Sequence, residues 1–175
     1  ASEMSTVEPP RRPEHQGFDV NIGGVAYGGP PSFFDPYDNP TIEDREEGEY
    51  LPFRLADEAM GFIDEHQDEP FFVAWWPYTV HWPMEAPQEL GEKYADRPGF
   101  EDYGDGIEMS TRYAAMIEAM DDAVGRVLAK LEELNLEEET LVIFTSDNGA
   151  YGGVTDLAPL RGVKGHLYEG GIRVP

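Results

Sequence analysis

Residues 140–149, Thr-Leu-Val-Ile-Phe-Thr-Ser-Asp-Asn-Gly, decide the fold class of this chain. The first six are apolar or β-branched and do not alternate with charged residues, which is typical of a strand covered on both faces. The turn that follows lies at the carboxyl end of this predicted strand, where open α/β sheets bind ligands. Asp147 and Asn148 offer a carboxylate and an amide carbonyl, oxygen ligands that suit Ca²⁺ or Mg²⁺. Taken alone, the same residues also suit an ordinary turn.

Three elements precede this strand along the chain. Apolar residues at helical spacing predict a helix within residues 49–67, which ends before Pro70. Residues 71–76, Phe-Phe-Val-Ala-Trp-Trp, predict an earlier buried strand. A long amphipathic helix is predicted from Ser110, its expected N-cap, to Leu134. A strand, a helix and a strand in this order form a βαβ crossover, so we expect an α/β fold with a mainly parallel central sheet flanked by helices.

Residues 1–50 contain paired glycines and prolines and predict a long ordered loop. A loop of this length inside a compact domain is commonly a lid or a substrate-facing loop. No internal repeat or compositional break calls for a second domain. Because neither end carries an initiator Met or a closing element, we expect residues 1–175 to be part of one catalytic domain, truncated at both ends.

The charge of the chain argues against several classes of partner. It has 36 acidic and 12 basic residues, a net charge of −24, which repels a nucleic-acid backbone. No apolar run approaches the roughly 20 residues that cross a bilayer. We therefore expect neither a nucleic-acid partner nor a membrane span. The absence of Cys excludes disulfides and thiolate metal sites in this sequence.

Positive charge is concentrated near the carboxyl end, in a Gly-rich stretch at residues 160–173. Arg161, Lys164 and Arg173 are three of the chain's 12 Lys and Arg residues. Glycines let backbone N–H groups approach an oxyanion, and Lys adds a compact positive charge. The stretch is therefore a candidate anion site, although a solvated surface loop has the same composition.

His81 is the histidine best placed for catalysis. It lies in Val80-His81-Trp82-Pro83, a few residues beyond the predicted strand at 71–76, where it can protonate a leaving oxygen. A structural His flanked by aromatic residues is the alternative. His15, His66 and His166 have weaker claims to a role.

These segments together resemble the sulfatase family of the alkaline-phosphatase superfamily. Residues 143–149 are similar to the family's strand and metal-binding Asp-Asn-Gly. Residues 159–175 match the family's P-L-R-G-x-K-G-x-x-Y-E-G-G-I-R-V-P signature almost throughout. Residues 70–72, 80–83 and 86–87 resemble its P-F-F, V-H-x-P and A-P segments. The resemblance extends over nearly the whole chain.

The resemblance implies an alkaline-phosphatase-like sandwich and a sulfuric ester hydrolase. It implies that Asp147 and Asn148 bind Ca²⁺, which fits this family better than Mg²⁺. It implies that Lys164 contacts the sulfate and the leaving-group oxygen, and that His81 contacts the sulfate and protonates the leaving group. We add Arg161 to the predicted substrate-binding residues. A sulfated carbohydrate is the implied substrate, and the periplasm or the cell exterior the implied location.

The sequence also departs from the family pattern. The C-x-P-S-R or S-x-P-S-R segment, whose Cys or Ser becomes formylglycine, is absent, as are the paired aspartates that complete the metal site. We expect the nucleophile upstream of this chain and no turnover by the chain alone. His166 replaces a small residue that is common in the family. Two alternatives remain open, namely a phosphodiesterase or phosphonate hydrolase of the superfamily, and a non-catalytic relative that binds calcium or polyanions.

Overall fold

The structure, a computed structural model, describes residues 12–26, 28–94 and 109–175. After a 3-10 turn at Pro13–His15, the helices are α1 (Leu51–Glu65), α2 (Gln88–Tyr94), α3 (Met109–Glu133) and α4 (Glu169–Ile172). Helix α3 packs against both α1 and α2. The two long helices confirm the sequence prediction, whereas the short helices α2 and α4 were not predicted.

The prediction of Ser110 as the N-cap of α3 is wrong. The helix already includes Met109, so Ser110 lies inside its first turn. The serine suggested a cap because its side chain suits that position, but the backbone becomes helical at least one residue earlier.

Helix α1 forms where the sequence pattern places it. Pro52 lies in its first turn, where the missing N–H costs no hydrogen bond. The helix ends at Glu65, and the amide of His66 donates to the Phe62 carbonyl at 3.1 Å. Its buried face carries Leu51, Leu55, Ala59 and Ile63 at four-residue spacing.

Apart from the 3-10 turn, the described part of residues 12–50 is a loop held by side-chain hydrogen bonds. A carboxylate oxygen of Asp35 accepts hydrogen bonds from the amides of Arg45 at 2.6 Å and Glu46 at 3.1 Å. The amide of Tyr37 donates to Asp44 at 2.9 Å. These bonds satisfy backbone groups that no helix or strand pairs, so the loop is ordered without regular secondary structure.

The hydrophobic core joins segments that are distant in the sequence. Its members come from the loop, α1, the segment after His81, α3 and the region after Asp147. They are Phe33, Tyr37, Ile42, Tyr50, Leu51, Leu55, Met84, Met116, Ala119 and Val154. This core therefore holds the segments that carry the candidate site residues.

The two predicted strands do not form a sheet in the described part of the chain. Residues 71–76 and 140–145 run without helix or strand pairing, and the only bridges among the described residues are isolated pairs at Phe34–Tyr50 and Gly152–Thr155. Burial of residues 140–145 on both faces is contradicted, since Leu141 is 85 % exposed. A strand forms only beside a partner that pairs its N–H and C=O groups, and no described segment supplies one. The mainly parallel sheet stays a prediction.

None of the helices in the described part of the chain, α3 included, is both long enough and apolar enough to cross a membrane.

Candidate functional site

The Asp147–Asn148 turn presents its side chains outward. The Ser146 hydroxyl donates to the Asn148 carbonyl at 2.9 Å, which fixes the turn from its own side chain. Asp147 is exposed and Asn148 half-buried. Within the described residues, no hydrogen bond or ion pair engages either side chain, so the carboxylate and the amide oxygen are both available to a ligand.

A Gly-rich loop is joined to this turn through the backbone. The amide of Gly149 donates to the Gly171 carbonyl at 2.9 Å, and the amide of Lys164 donates to the Ala150 carbonyl at 2.9 Å. The amide of Gly170 in turn donates to the Arg161 carbonyl at 2.8 Å. Residues 147–171 thus form one folded piece, which we call the 147–171 unit. It brings Lys164 beside the turn that carries Asp147 and Asn148.

Glycines allow the chain segments of this unit to touch. A Cβ added at Gly149 would lie against the Gly170 carbonyl oxygen and 2.9 Å from the carbonyl carbon of Gly171. A Cβ at Gly170 would meet the carbonyl oxygens of Gly162 and, at 2.9 Å, Arg161. The obstacles are backbone atoms, which cannot swing aside as a side chain can. The unit therefore requires glycine at these two positions.

Arg161 and His166 make contacts within the loop. The guanidinium carbon of Arg161 lies 3.9 Å from the centroid of the Tyr168 ring, a cation–π arrangement. The amide of Val163 donates to Nδ1 of His166 at 3.2 Å. The exposed ammonium of Lys164 has no ion-pair partner among the described residues. Nε of Arg173 lies 3.5 Å from a carboxylate oxygen of Glu169. Of the three cationic side chains in this stretch, Lys164 is therefore the one without an ion pair or ring contact in the described structure.

His81 is half-buried, and its Nδ1 lies 3.3 Å from the Trp82 carbonyl oxygen. Because a carbonyl oxygen only accepts, this contact is a hydrogen bond in the tautomer that carries its hydrogen on Nδ1. A Cβ added at Gly29 would lie 2.8 Å from Nδ1, so the backbone of the 12–50 loop packs closely on this ring.

Two side chains that the sequence did not single out hold the His81 segment in place. The Tyr78 hydroxyl donates to the Gly23 carbonyl at 2.8 Å and accepts from the Val25 amide at 3.3 Å. Glu85 accepts from the Phe33 amide at 2.9 Å through its side chain. These bonds join residues more than 50 positions apart, and no local pattern in the sequence signals such pairs.

Tyr50 adds a third bond to the same segment. Its hydroxyl donates to the Glu85 carbonyl at 2.8 Å. Burial, with a smaller contribution from the Glu85 charge, raises the pKa of Tyr50, so the hydroxyl stays protonated and able to donate.

The hydrophobic core places the His81 segment and the 147–171 unit on a common support. Met84, three residues after His81, and Val154, seven residues after Asp147, are both nearly fully buried in the same cluster. Within the described residues, no group of three or more His, Asp or Glu side chains is arranged to hold a metal ion. Asp147 and Asn148 can offer a metal ion two hard oxygen donors, and the described residues place no further acidic or histidine cluster beside them.

Comparisons with known proteins find similarity over most of the chain. The family model described as Sulfatase matches residues 3–175. A sulfatase of Formosa agariphila is 38 % identical over 136 residues, which covers 72 % of this chain and 24 % of the relative. The steryl-sulfatase of Mus musculus is 41 % identical over 136 residues, covering 71 % of this chain and 19 % of the relative. The chain thus spans roughly a fifth to a quarter of the length of these curated relatives.

One solved structure is similar over almost the whole chain. The crystal structure of Ps i-CgsB in complex with k-i-k-neocarrahexaose matches with a TM-score of 0.73 and 26 % identity. The match covers 97 % of this chain and 41 % of that one. The described helices and loops therefore have the arrangement of the matching part of that longer chain.

Proposed function

The chain belongs to the sulfatase family, and from that premise we propose that the full-length protein hydrolyses sulfate esters of carbohydrates. The resemblance seen in the sequence is confirmed, and with it the alkaline-phosphatase-like fold of the family. The central parallel sheet of that fold belongs to the proposal, with residues 71–76 and 140–145 as two of its strands.

One hydrogen bond carries the proposal most directly, the bond of 2.9 Å from the Lys164 amide to the Ala150 carbonyl. Ala150 is two residues after Asn148, so this bond joins the backbone of Lys164 to the turn that carries the two proposed metal ligands. A sulfate monoester has negatively charged oxygens at one end, which a cation and a metal ion can bind together.

We assign Ca²⁺ to the Asp147–Asn148 turn. A carboxylate and an amide carbonyl are ligands that Ca²⁺ accepts in flexible geometry, whereas Mg²⁺ demands a near-ideal octahedron and retains several waters. The unengaged state of both side chains fits this role. When bound, the ion would neutralise charge on the sulfate oxygens and orient the ester.

The remaining steps belong to Lys164 and His81. The Lys164 ammonium binds the sulfate and stabilises the leaving-group oxygen as the S–O bond breaks. In the tautomer that holds one proton at Nδ1 against the Trp82 carbonyl, a second proton at Nε2 is the one that His81 transfers to the departing oxygen. Arg161 assists substrate binding in this proposal, after leaving its stacking contact with Tyr168.

The nucleophile is assigned to a segment outside the 175 residues. The sequence contains no Cys and no C-x-P-S-R or S-x-P-S-R segment, and the chain covers 24 % of its Formosa agariphila relative. We propose that residues 1–175 are part of one catalytic domain and that a formylglycine elsewhere in that domain attacks sulfur. The 175-residue chain by itself is then inactive.

A sulfated glycan is the proposed substrate. The structurally similar Ps i-CgsB was crystallised with a neocarrahexaose, and that similarity covers 97 % of this chain. Because a polymeric glycan does not cross a membrane unaided, we place the protein in the periplasm or outside the cell.

Hydrolysis by the full-length protein tests this function. We expect release of inorganic sulfate from a sulfated oligosaccharide and from an aryl sulfate, with loss of activity on Ca²⁺ chelation and recovery on its return. Intact-mass analysis should find a formylglycine in the active protein. Faster hydrolysis of the matching phosphodiester would instead assign the protein to phosphoester chemistry, and no hydrolysis of any ester would leave a binding protein.

A further inference from the structure

A cavity of about 610 Å³ lies beside the His81 segment. It is lined by residues 84–88, by Phe34, and by side chains from α2 and the first turns of α3. Its volume is within the usual range for sites that bind small molecules. Neither the metal turn nor the Lys164 loop contributes to the lining.

The cavity is close to the reacting group. Met84, which lines it, follows His81 by three residues. Because an extended chain advances roughly 3.3–3.6 Å per residue, their Cα atoms are no more than about 11 Å apart. A glycan held with one sugar at His81 can therefore extend a linked sugar toward this cavity.

The wall formed by Phe34 is rigidly built. The Phe34 amide donates to the Ser32 hydroxyl at 3.0 Å, and the Ser32 hydroxyl donates to the Phe34 carbonyl at 2.7 Å. The ring packs against Tyr50 with centroids 5.0 Å apart. An aromatic ring fixed in this way offers a preformed surface to the C–H face of a sugar, with little entropy to lose on binding.

Arg112 is the unusual side chain of the lining. In a chain with 36 acidic and 12 basic residues, an arginine has many potential partners. Most cations in the described ranges are paired, including Arg45, Arg54 and Lys93. No hydrogen bond or ion pair engages the Arg112 guanidinium there, although Thr111 and Arg112 both line the cavity. Its five N–H donors are thus free for acceptor oxygens of a ligand.

The other polar groups of the lining also favour a sugar over a sterol or a lipid tail. The Gln88 side chain donates to a carboxylate oxygen of Glu92 at 2.7 Å, and the Phe33 amide donates to a carboxylate oxygen of Glu85. One hydrogen bond thus positions each of the two glutamates. The remaining carboxylate oxygens can accept from hydroxyl groups. An apolar ligand would remove these groups and Arg112 from water without replacing their hydrogen bonds, which is costly.

Resting on the sulfatase activity proposed above, we propose that this cavity binds the sugar unit linked to the one that bears the scissile sulfate. Arg112 donates to acceptor oxygens of that unit, Phe34 packs on its ring face, and Glu92 accepts from its hydroxyls. The site thereby selects oligosaccharides over sulfated monosaccharides. Arg112 acts in recognition and touches neither the metal nor the breaking bond.

Kinetics of the full-length enzyme test this assignment. The substrates are a carrageenan-derived sulfated hexasaccharide and a sulfated galactose monosaccharide. We expect Arg112→Ala to lower kcat/KM for the hexasaccharide about tenfold, mainly through KM, as for the loss of a hydrogen bond to a charged group. The monosaccharide value should stay within about twofold, since its binding uses none of these contacts. Arg112→Lys should recover part of the loss.

Arg126→Ala is the matched control. Arg126 lies on the same helix, with its guanidinium 4.3 Å from the Phe53 ring, and does not line the cavity. This substitution should leave kcat/KM for both substrates unchanged. An equal loss on both substrates, or no loss on either, would overturn the proposed subsite.

If the wild-type enzyme cleaves neither substrate, the proposed sulfatase activity is wrong, but the subsite proposal is still open to test. Calorimetric binding of the hexasaccharide to wild type and Arg112→Ala still decides the subsite in that case. Equal affinity of the two proteins would overturn it.

Discussion

The amide of Gly149 donates to the carbonyl oxygen of Gly171 across 2.9 Å, at a point where neither residue leaves room for a side chain. This contact fixes the start of the turn that carries the proposed metal ligands, Asp147 and Asn148, against the end of the Lys164 loop. Since the proposed chemistry needs the metal ligands and the lysine at a set separation, the contact links backbone packing directly to activity.

Gly149→Ala tests that link. The added Cβ would lie 2.9 Å from the Gly171 carbonyl carbon and still closer to the Gly170 carbonyl oxygen, so the two segments must separate. A displacement of about 1 Å is expected to cost on the order of 10²-fold in kcat/KM. Steady-state kinetics of the full-length enzyme would measure it.

Gly125→Ala is the control for the glycine substitution. Gly125 lies inside α3, and a Cβ there meets nothing within 4 Å. Alanine should stabilise the helix by up to about 1 kcal/mol and leave the kinetics unchanged. Full activity in Gly149→Ala would show that the close packing of the 147–171 unit has no catalytic role.

Lys164 should account for a large part of the rate. Replacing it by Ala removes a permanent positive charge that the proposal places on both the sulfate and the leaving oxygen, and kcat should fall on the order of 10²–10³-fold. Lys130→Ala is the matched control, because Lys130 pairs with Glu133 at 3.0 Å on the surface of α3. Its loss should not change kcat. An equal effect of the two substitutions would remove Lys164 from the mechanism.

Asp147 and Asn148 should determine metal content. Asp147→Ala removes a negatively charged ligand from the proposed calcium site, so the purified full-length protein should retain less Ca²⁺ by elemental analysis. Added Ca²⁺ should raise its melting temperature less than that of wild type. Asp122→Ala, an exposed change on α3, should retain the wild-type metal content. Unchanged Ca²⁺ in Asp147→Ala would place the metal elsewhere.

The two long helices and the family were predictable from local patterns in the sequence. Apolar spacing located α1 and α3, and residues 159–175 matched a family signature that the comparisons bear out. Burial of residues 140–145 was not predictable from their composition. An apolar run shows what a segment can bury, but burial depends on a neighbouring strand, and no described segment provides it.

The supports of His81 were beyond local analysis. Tyr78 reaches Gly23, and Glu85 reaches Phe33, across more than 50 positions. Tyrosine and glutamate are common residues, and their roles depend on which backbone groups the fold brings within reach. The same applies to Arg112, which attracts attention only once its lack of a partner in the described structure is known.

Glu49 is the centre of a charge network beside the core. Its side chain is only 12 % exposed. It accepts from the Tyr37 hydroxyl at 2.9 Å and from Nε of Arg45 at 2.8 Å, and Arg54 lies 3.5 Å away. Burial by itself would raise the pKa of Glu49, but the hydrogen bonds from Arg45 and Tyr37 and the nearby positive charges outweigh it and lower the pKa.

This network should give stability a defined pH dependence. Because the pKa of Glu49 is lower in the folded state than its ordinary value of 4.5, ionised Glu49 stabilises the fold above that pH. The contribution is lost as the pH falls through the lower, folded-state pKa. Glu49→Gln should therefore reduce the free energy of unfolding by about 1–3 kcal/mol at neutral pH. The difference from wild type should shrink in acid.

Urea unfolding of the full-length protein at neutral and acidic pH would measure both values. Glu47→Gln is the control, since Glu47 is exposed and has no ion pair within the described residues. It should change the free energy of unfolding little at either pH, as is usual for exposed charges. If the Glu49→Gln difference instead grew as the pH fell, the sign of the pKa shift would be reversed. Burial would then outweigh the hydrogen bonds from Arg45 and Tyr37, and the network would be a cost to folding that the core offsets.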